Sequence, residues 1–339
     1  MNYVYQSLSK DKKINIFQKC QEFLIKNHPN SEFIIRKNLL SQQNKKTLET
    51  LLKLYKNFNG NVYLGKIRGN LVTGFETDSI AIEIDHAPFL ETRRAKFSFN
   101  LIPAIRGRYF IHSAVLLEPR LNIHSTKSGK WNTEKFFSSD TSGAPPKTFL
   151  SIARFGITNA DVFVVDSAWL DSHRDYDTSK GIHFRNLHLS NLNLLLSGKI
   201  DKTTYEATIQ NFFCEIDSPH FALKSFSGKF FASPSQIRTD GVDLQTEFSK
   251  ISLSSRIDGI NIFSPFSFDT ISHKHLDFSF YSPVVSLDEL VLFFPSLSPL
   301  SGSAFLELNT AGEIGNLAIS TLHAEAFEDR KSTRLNSSH

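Results

Sequence analysis

The sequence is poor in the residues and motifs that mark metal sites, disulfide frameworks and membrane helices. Its 339 residues include one Met, two Trp and two Cys. Cys20 and Cys214 are far apart and form no CxxC pair, so no cysteine-held metal or disulfide framework is predicted. Cys214 alternates with Phe212 and Ile216 and is expected to pack as a small hydrophobe. No apolar run reaches the roughly 18 residues that a membrane-spanning helix needs.

Sequence signatures of catalysis are also missing. The chain has no G-x-S-x-G, no H-E-x-x-H, no P-loop and no G-x-G-x-x-G that follows a strand. We therefore expect a non-enzymatic protein with no cofactor and no metal. A β-rich hydrolase would need a catalytic triad that the sequence does not display.

Charge is modest in amount and uneven in placement. Charged residues make up 21% of the chain and hydrophobic residues 40%, which excludes a disordered protein. Residues 1–60 hold 11 Lys/Arg and 4 Asp/Glu, whereas residues 61–328 are net acidic. The basic N-terminal segment fits contact with an anionic membrane surface, and it equally fits an ordinary solvated face. No Lys/Arg run interleaves with aromatic residues later in the chain, so nucleic acid is not an expected partner.

Phenylalanine and two-residue periodicity dominate what is present. There are 31 Phe residues, and after Gly60 the apolar pattern changes from helical spacing to alternation. The predicted organisation is a helical, basic segment over 1–58, a β-region over 59–137, a loop over 138–148 and further β-strands over 149–328. Residues 329–339 resemble the translation of a sequencing adapter, so we expect the natural sequence to continue beyond Glu328.

The later strands and one helix can be placed more closely. Strand patterns cover 157–170, 182–189, 192–200, 205–216, 221–231, 242–248, 251–257, 276–281, 304–309 and 317–326. Asp240–Gly241 is a typical hairpin dipeptide and predicts a turn. Ser286 with Glu289 three residues later predicts the start of a short helix before Pro295.

The apolar faces of these strands admit two interpretations. They could pack together as a closed sandwich core, which periodicity alone favours, or they could line an open groove that binds acyl chains. Alternation of residues does not distinguish a face that is covered from one that is open.

A series of short motifs adds a resemblance to a known family. Residues 60–71 follow a G-x-V-x-L-G-x-I-x-G-x-L pattern, a proline–glycine turn comes next, and a later strand ends in G-x-W-N. The matching positions are Gly60, Val62, Leu64, Gly65, Ile67, Gly69, Leu71, Pro103, Gly107, Arg108, Leu117, Pro119, Leu121, Ile123, Gly129, Trp131 and Asn132. In this order the motifs resemble the AsmA-like envelope proteins, most closely the TamB-type branch (translocation and assembly module), over about residues 40–328.

The resemblance implies a fold and a function. The fold is mainly β, a long antiparallel meander curled into an open, apolar-lined groove, with N-terminal amphipathic helices. The function is to conduct phospholipid, or to assist outer-membrane protein assembly, between bacterial membranes. It implies a periplasmic location at the inner membrane and an assembly-type partner protein in the outer membrane. Family members usually begin with a membrane anchor, and residues 1–40 contain none.

Two sets of residues follow as candidates. The residues expected to contact acyl chains are Phe97, Phe99, Leu101, Ile111, Val115, Leu194, Leu196 and Phe212. The residues that the family motifs single out as structural are Gly65, Gly69, Pro103, Gly107, Pro119, Gly129, Trp131 and Asn132. The alternative from a different class is a structural or adhesion β-sandwich with a closed core.

Overall fold

The computed structural model describes residues 60–70, 73–100, 103, 107–135, 149–172, 181–261 and 271–327. The predicted helical segment 1–58, the predicted loop 138–148 and the adapter-like segment 329–339 lie outside the described residues.

The described residues are mainly strands. These are β1 Gly60–Leu64, β2 Ile67–Asn70, β3 Gly74–Thr77, β4 Ile80–Ile84, β5 Ala87–Thr92, β6 Arg94–Asn100, β7 Arg108–Leu117, β8 Arg120–Ser125, β9 Phe149–Asp166, β10 Asn186–Ile200, β11 Tyr205–Ile216, β12 Phe221–Ala232, β13 Gln236–Thr246, β14 Lys250–Asp258, β15 His275–Ser286, β16 Ser303–Glu313 and β17 Asn316–Phe327. Two short α-helices, α1 Ser167–Ser172 and α2 Leu287–Phe293, and two 3₁₀ turns at Asn132–Lys135 and Pro295–Leu297 complete them. The predicted fold class is confirmed: the protein is mainly β, mostly antiparallel and open.

The described chain divides into two compact units. Unit 1 contains residues 60–172 and 185–205, and unit 2 contains residues 181–184 and 206–327, each with the gaps given above. Each unit has its own apolar face and its own hydrogen-bonded strands, and each is described separately below.

Unit 1 has six neighbouring strand lines. Four of them are interrupted once, namely β1 with β2, β4 with β3, β5 with β6 and β8 with β7, and the other two, β9 and β10, are continuous. β1 pairs with β4 and β2 with β3, β4 pairs with β5 and β3 with β6, and β5 pairs with β8 and β6 with β7, all antiparallel. The 18-residue β9 runs parallel to β7 and then to β8, from Arg108 opposite Phe149 to Ser125 opposite Asp166. Its other edge pairs with β10 in antiparallel fashion. The strands on the two sides of the predicted loop 138–148 are therefore neighbours.

The interruptions line up across the sheet of unit 1. Residues 65–66, 78–79, 93, 118–119 and 159 lie beside one another, and we call them the interruption row. Backbone bonds still cross the row, from Gly65 N to Ser79 O at 2.9 Å and from Glu118 N to Thr158 O at 2.8 Å. The buried Thr92 hydroxyl donates to Leu117 O at 2.7 Å. Polar side chains thus satisfy backbone groups where the strand ladder is broken.

The packed core of unit 1 draws on strands from both sides of this row. Val62, Leu64, Ile80, Ile84 and Ala95 form one buried cluster. Because residues before and after the interruptions join the same cluster, the apolar faces of both halves lie on one side of the sheet.

Unit 2 contains an antiparallel meander. Each strand from β12 to β17 pairs with the next along the chain. The predicted hairpin at Asp240–Gly241 is wrong: both residues lie inside β13, where the register shifts between Thr239 and Val242 and Gly241 has φ +54°. The dipeptide forms a bulge because its left-handed backbone suits a bulge as well as a turn.

The predicted short helix of unit 2 is confirmed. Ser286 caps α2 by accepting from Glu289 N at 3.2 Å. Phe293 on this helix packs edge-on against Phe221, with ring centroids 5.0 Å apart. The helix therefore packs against the first residue of β12.

Candidate functional site

One face of the unit 1 sheet is almost wholly apolar. Cross-strand partners share a face, so the register assigns the members directly. They are Val62, Leu64, Phe75, Ile80, Ile82, Ile84, Leu90, Ala95, Phe97, Phe99, Ile111, Ala114, Leu116, Leu121, Ile123, Phe155, Ile157, Val162, Val164, Leu187, Leu189, Leu194 and Leu196. We call this set the unit 1 apolar face.

The opposite face of the same strands is polar. Glu83 accepts from the Tyr63 hydroxyl at 3.1 Å, and Arg94 pairs with Glu76. Arg120 stacks over the Phe163 ring at 4.7 Å. The sheet of unit 1 therefore presents water-compatible chemistry on one side and hydrocarbon on the other.

Much of the unit 1 apolar face stays partly exposed. Ile84 and Ala95 are each 1% exposed, but Phe97, Phe99 and Leu196 all keep part of their surface open. Within the described part of unit 1 the strands form a single hydrogen-bonded set, so no separate second sheet covers this face. An apolar face of this extent is unusual for a surface that meets only water.

The structure sorts the residues predicted to contact acyl chains. Phe97, Phe99, Ile111, Leu194 and Leu196 share the unit 1 apolar face.

The other three predicted residues are not part of this set. Val115 pairs with Lys96 and Gly156, and so lies on the opposite face. Leu101 is outside the described residues. Phe212 belongs to unit 2. Within the described part of unit 1, Val115 is therefore the predicted residue that does not share the apolar face.

Unit 2 has an apolar face of its own. Its members across β12 to β17 are Phe226, Phe230, Val242, Leu244, Ile251, Leu253, Ile257, Leu276, Phe278, Phe280, Leu306, Leu308, Leu317, Ile319 and Leu322. Phe212 of β11 joins them through an edge-on contact with Phe226 at 6.4 Å. Exposure rises toward β17, where Ile319 is 60% and Leu322 68% exposed. This face is open at its last strand.

The motif glycines and proline occupy positions that restrict the backbone. A Cβ on Gly65 would lie 1.9 Å from Asp78 Oδ1 and 2.9 Å from the backbone N of Ser79, so a larger residue would force this strand connection to shift. Gly69, Gly107 and Gly129 have φ of +105°, +69° and +79°, which favours glycine. Pro119 is buried in the interruption row.

The G-x-W-N residues at the end of the motif series bond to the backbone of β8. Buried Asn132 donates to Asn122 O at 2.8 Å and accepts from His124 N at 3.1 Å. Trp131 forms a bridge to Ser125. Pro103 lies between β6 and β7 and is half-buried. These residues shape the sheet and do not enter its apolar face.

A buried hydrogen bond between β8 and β9 was not signalled by any motif. The Ser125 hydroxyl donates to Asp166 Oδ1 at 2.7 Å, Trp169 N donates to the same oxygen at 3.3 Å, and Arg185 lies 3.7 Å from Oδ2. The Ser125 hydrogen bond, with help from Trp169 and Arg185, holds the pKa of Asp166 below its usual value. Asp166 thereby caps α1 and ties the two parallel strands together.

Replacing Ser125 by alanine is expected to raise the pKa of Asp166. With its folded pKa below the unfolded value of about 3.9, the carboxylate stabilises the fold at neutral pH. That stabilisation is lost as the pH falls through the folded pKa. In the variant the loss starts at higher pH. Carboxyl NMR titration and thermal melts in acid would measure both effects. The exposed Ser128→Ala is the control, and equal pKa values in the two variants would contradict the assignment.

Two other titratable groups have environments that displace their pKa. Burial raises the pKa of the Cys214 thiol to about 11, so this cysteine packs as the small hydrophobe that the sequence predicts. The side chains of Gln236 and Arg256 lower the pKa of Asp258. Arg256 also lines an open concavity of about 470 Å³, together with Arg238 and Asp277. The Arg238 guanidinium pairs with Asp240, and the Arg256 guanidinium pairs with Asp258.

Comparisons with known proteins give no relative for this chain. In the part of the chain that the structure describes, no helix is long and apolar enough to cross a membrane, and no three His, Cys, Asp or Glu side chains are grouped as a metal site would need. No protein-family model, no curated protein and no solved structure matches the chain.

Proposed function

We propose that this protein carries phospholipid along the apolar faces of its sheets, as a non-enzymatic component of bacterial envelope biogenesis. The observation that carries the proposal is the unit 1 apolar face. This face consists of large aliphatic and aromatic side chains that extend over six neighbouring strand lines. Many of these side chains are only partly buried. A phospholipid acyl chain laid on such a face gains about 0.8 kcal/mol for each methylene group removed from water.

The polarity of the two faces supports this choice of ligand. A lipid has one hydrocarbon part and one charged part, and a sheet with one apolar and one polar side lets the headgroup remain in water while the chains are covered. An ordinary enzyme pocket would instead combine an enclosed cavity with a few convergent polar groups. The described residues of unit 1 form an extended apolar face with a polar face behind it, and not an enclosed pocket.

Location and partners extend the proposal. A carrier of this kind would work in the periplasm at the inner membrane and deliver lipid, or assist protein assembly, toward a partner in the outer membrane. These points rest on the motif resemblance, and the unit 1 apolar face adds the physical means of carrying lipid.

Mass spectrometry of lipid extracted from the purified protein tests the proposal. We expect phospholipid to copurify. A photoreactive residue placed at Phe97 or Phe99 should crosslink to it. The matched controls are Lys96 and Ser98, which alternate with them on the opposite face of β6. Protein without bound lipid, or equal crosslinking from both faces, would refute the proposal.

A further inference from the structure

Two aromatic rings and two cations meet at one end of the unit 1 sheet. The rings of Phe110 and Phe149 lie 5.1 Å apart. The Arg108 guanidinium lies 4.9 Å from the Phe149 centroid and 5.6 Å from that of Phe110, and Lys199 Nζ lies 5.9 Å from Phe149. The register places all four on the polar face, opposite the unit 1 apolar face.

The segments of these strands that lie around the cluster have no carboxylate. Residues 94–117, 149–160 and 186–200 contain no Asp or Glu. Among their described cations, Arg94 is paired with Glu76 of β3, and Lys96 faces Glu76 in the register. The nearest acid along β10 is Asp201, just beyond its end.

Three cations on these strands remain without a described acidic partner. They are Arg108, Arg154 and Lys199. The basic end of unit 1, as we call Arg108, Phe110, Phe149, Arg154 and Lys199, therefore has three cations that form no ion pair with a described carboxylate.

The half of the unit 1 sheet on the other side of the interruption row has acidic residues on its polar face. Glu83, Glu91, Glu118 and Asp161 all lie there, and Glu118 is paired with Arg93 at 2.7 Å. Arg120, the cation of this half that stacks on Phe163, faces Glu91 and Asp161 in the register, so the cations without a facing carboxylate lie at the other end of the sheet. The basic end therefore differs from a uniformly basic surface, which would attract anions equally at every point.

We propose that the basic end of unit 1 docks the protein on an anionic phospholipid membrane. Arginine and lysine near an anionic bilayer are each attracted to it, and aromatic rings sit well at the level of the headgroups. Tyr109, 42% exposed, lies at the same end of β7 but on the side of the unit 1 apolar face. This docking surface rests on the proposed function. A protein that carries phospholipid must reach a membrane, and docking at the basic end would bring the unit 1 apolar face to that source of lipid.

The fold, and not the order of residues, creates this surface. Arg108 and Phe110 precede Phe149 by about forty positions and Lys199 by about ninety, so no basic and aromatic run is visible in the sequence. The parallel pairing of β7 with β9 and the antiparallel pairing of β9 with β10 bring them together.

Vesicle cosedimentation tests the docking surface. The vesicles are phosphatidylglycerol and phosphatidylcholine in equal parts, or phosphatidylcholine alone. We expect the protein to bind the first kind, with affinity that falls as salt rises. Binding should weaken by about fivefold for each cation removed, hence by about a hundredfold for R108Q/R154Q/K199Q. The matched control, K224Q/K229Q/K250Q, removes the same charge from exposed positions of unit 2 and should bind as the parent does.

Each other outcome overturns the docking surface. Equal losses in the two triple variants would show diffuse attraction, and unchanged binding by R108Q/R154Q/K199Q would place the contact elsewhere. Displacement by inorganic phosphate at constant ionic strength would show an isolated phosphate site. Tighter binding to a single-stranded oligonucleotide through the same three residues would show a nucleic-acid surface. Circular dichroism checks that both variants fold.

The lipid content of the same samples separates this proposal from the proposed function. A docking-deficient variant that still copurifies with phospholipid supports both. Retained docking by a parent protein that contains no lipid would overturn lipid carriage alone.

Discussion

Phe99→Glu is expected to reduce the phospholipid that copurifies with the protein by at least about tenfold, while the protein still folds. Phe99 lies on the unit 1 apolar face beside Phe75, with ring centroids 6.2 Å apart, and it keeps part of its surface exposed. A glutamate there can turn its carboxylate toward water, so we expect a loss of about 1–2 kcal/mol in the free energy of unfolding. A bound acyl chain, in contrast, would have to cover a charge.

The neighbouring position supplies the control for this variant. Ser98→Glu places the same charge one residue away on the opposite face, and it should change neither the lipid content nor the stability appreciably. Lipid mass spectrometry and thermal denaturation read out the two effects separately. A folded Phe99→Glu protein with full lipid content would show that lipid does not use this face. Unfolding of the variant would favour the closed sandwich core instead, because a buried carboxylate there would have no partner.

Alternation predicted β11 and β12 of unit 2 closely. The predicted 205–216 coincides with β11, and 221–231 differs from β12 by one residue. These strands are long, amphipathic and joined by short turns, so local pattern and tertiary pairing agree. The short helix α2 was equally visible, because its capping serine and glutamate act within a single turn.

The pairing of β9 could not be predicted in the same way. A parallel neighbour is set by the path of the intervening chain, and period-two alternation is the same whether a strand has a parallel or an antiparallel partner. The assignment of faces failed at Val115 for a related reason. The register shifts between Ser98 and Phe99 opposite β7, and such a shift reverses which residues point to a given side.

The buried Glu289 illustrates a role that sequence reasoning only half recognised. Its spacing from Ser286 predicted a capping box, and the backbone bond of that box is present. The side chain, however, reaches across to the β13–β14 turn. Glu289 Oε2 accepts from the Thr246 and Ser249 hydroxyls, each at 2.5 Å, and Oε1 accepts from Phe248 N at 3.2 Å. The Glu289 carboxylate thus links the β13–β14 turn to the start of α2 by hydrogen bonds.

Glu289→Ala is expected to destabilise the protein by about 3 kcal/mol or more. The substitution leaves two buried hydroxyls and a backbone N–H without their acceptor, and each such group costs about 1–3 kcal/mol when it stays dry. Glu289→Gln should fall between the alanine variant and the parent, since its amide oxygen can still accept one or two of the three bonds. Denaturant unfolding gives the free energies, and hydrogen exchange at the Phe248 amide reports opening of the turn itself.

Asp288→Ala is the matched control for Glu289, because Asp288 is the preceding residue of the same helical turn and is exposed. Its loss should change the free energy of unfolding by no more than about 0.5–1 kcal/mol, the usual effect of a surface carboxylate near a helix N-terminus. If the two alanine variants were equally stable, the bonds to the β13–β14 turn would contribute nothing, and Glu289 would act as an ordinary first-turn acid. A large difference with faster exchange at Phe248 would locate the stabilisation in the turn, since Asp288 and Glu289 interact alike with the helix dipole.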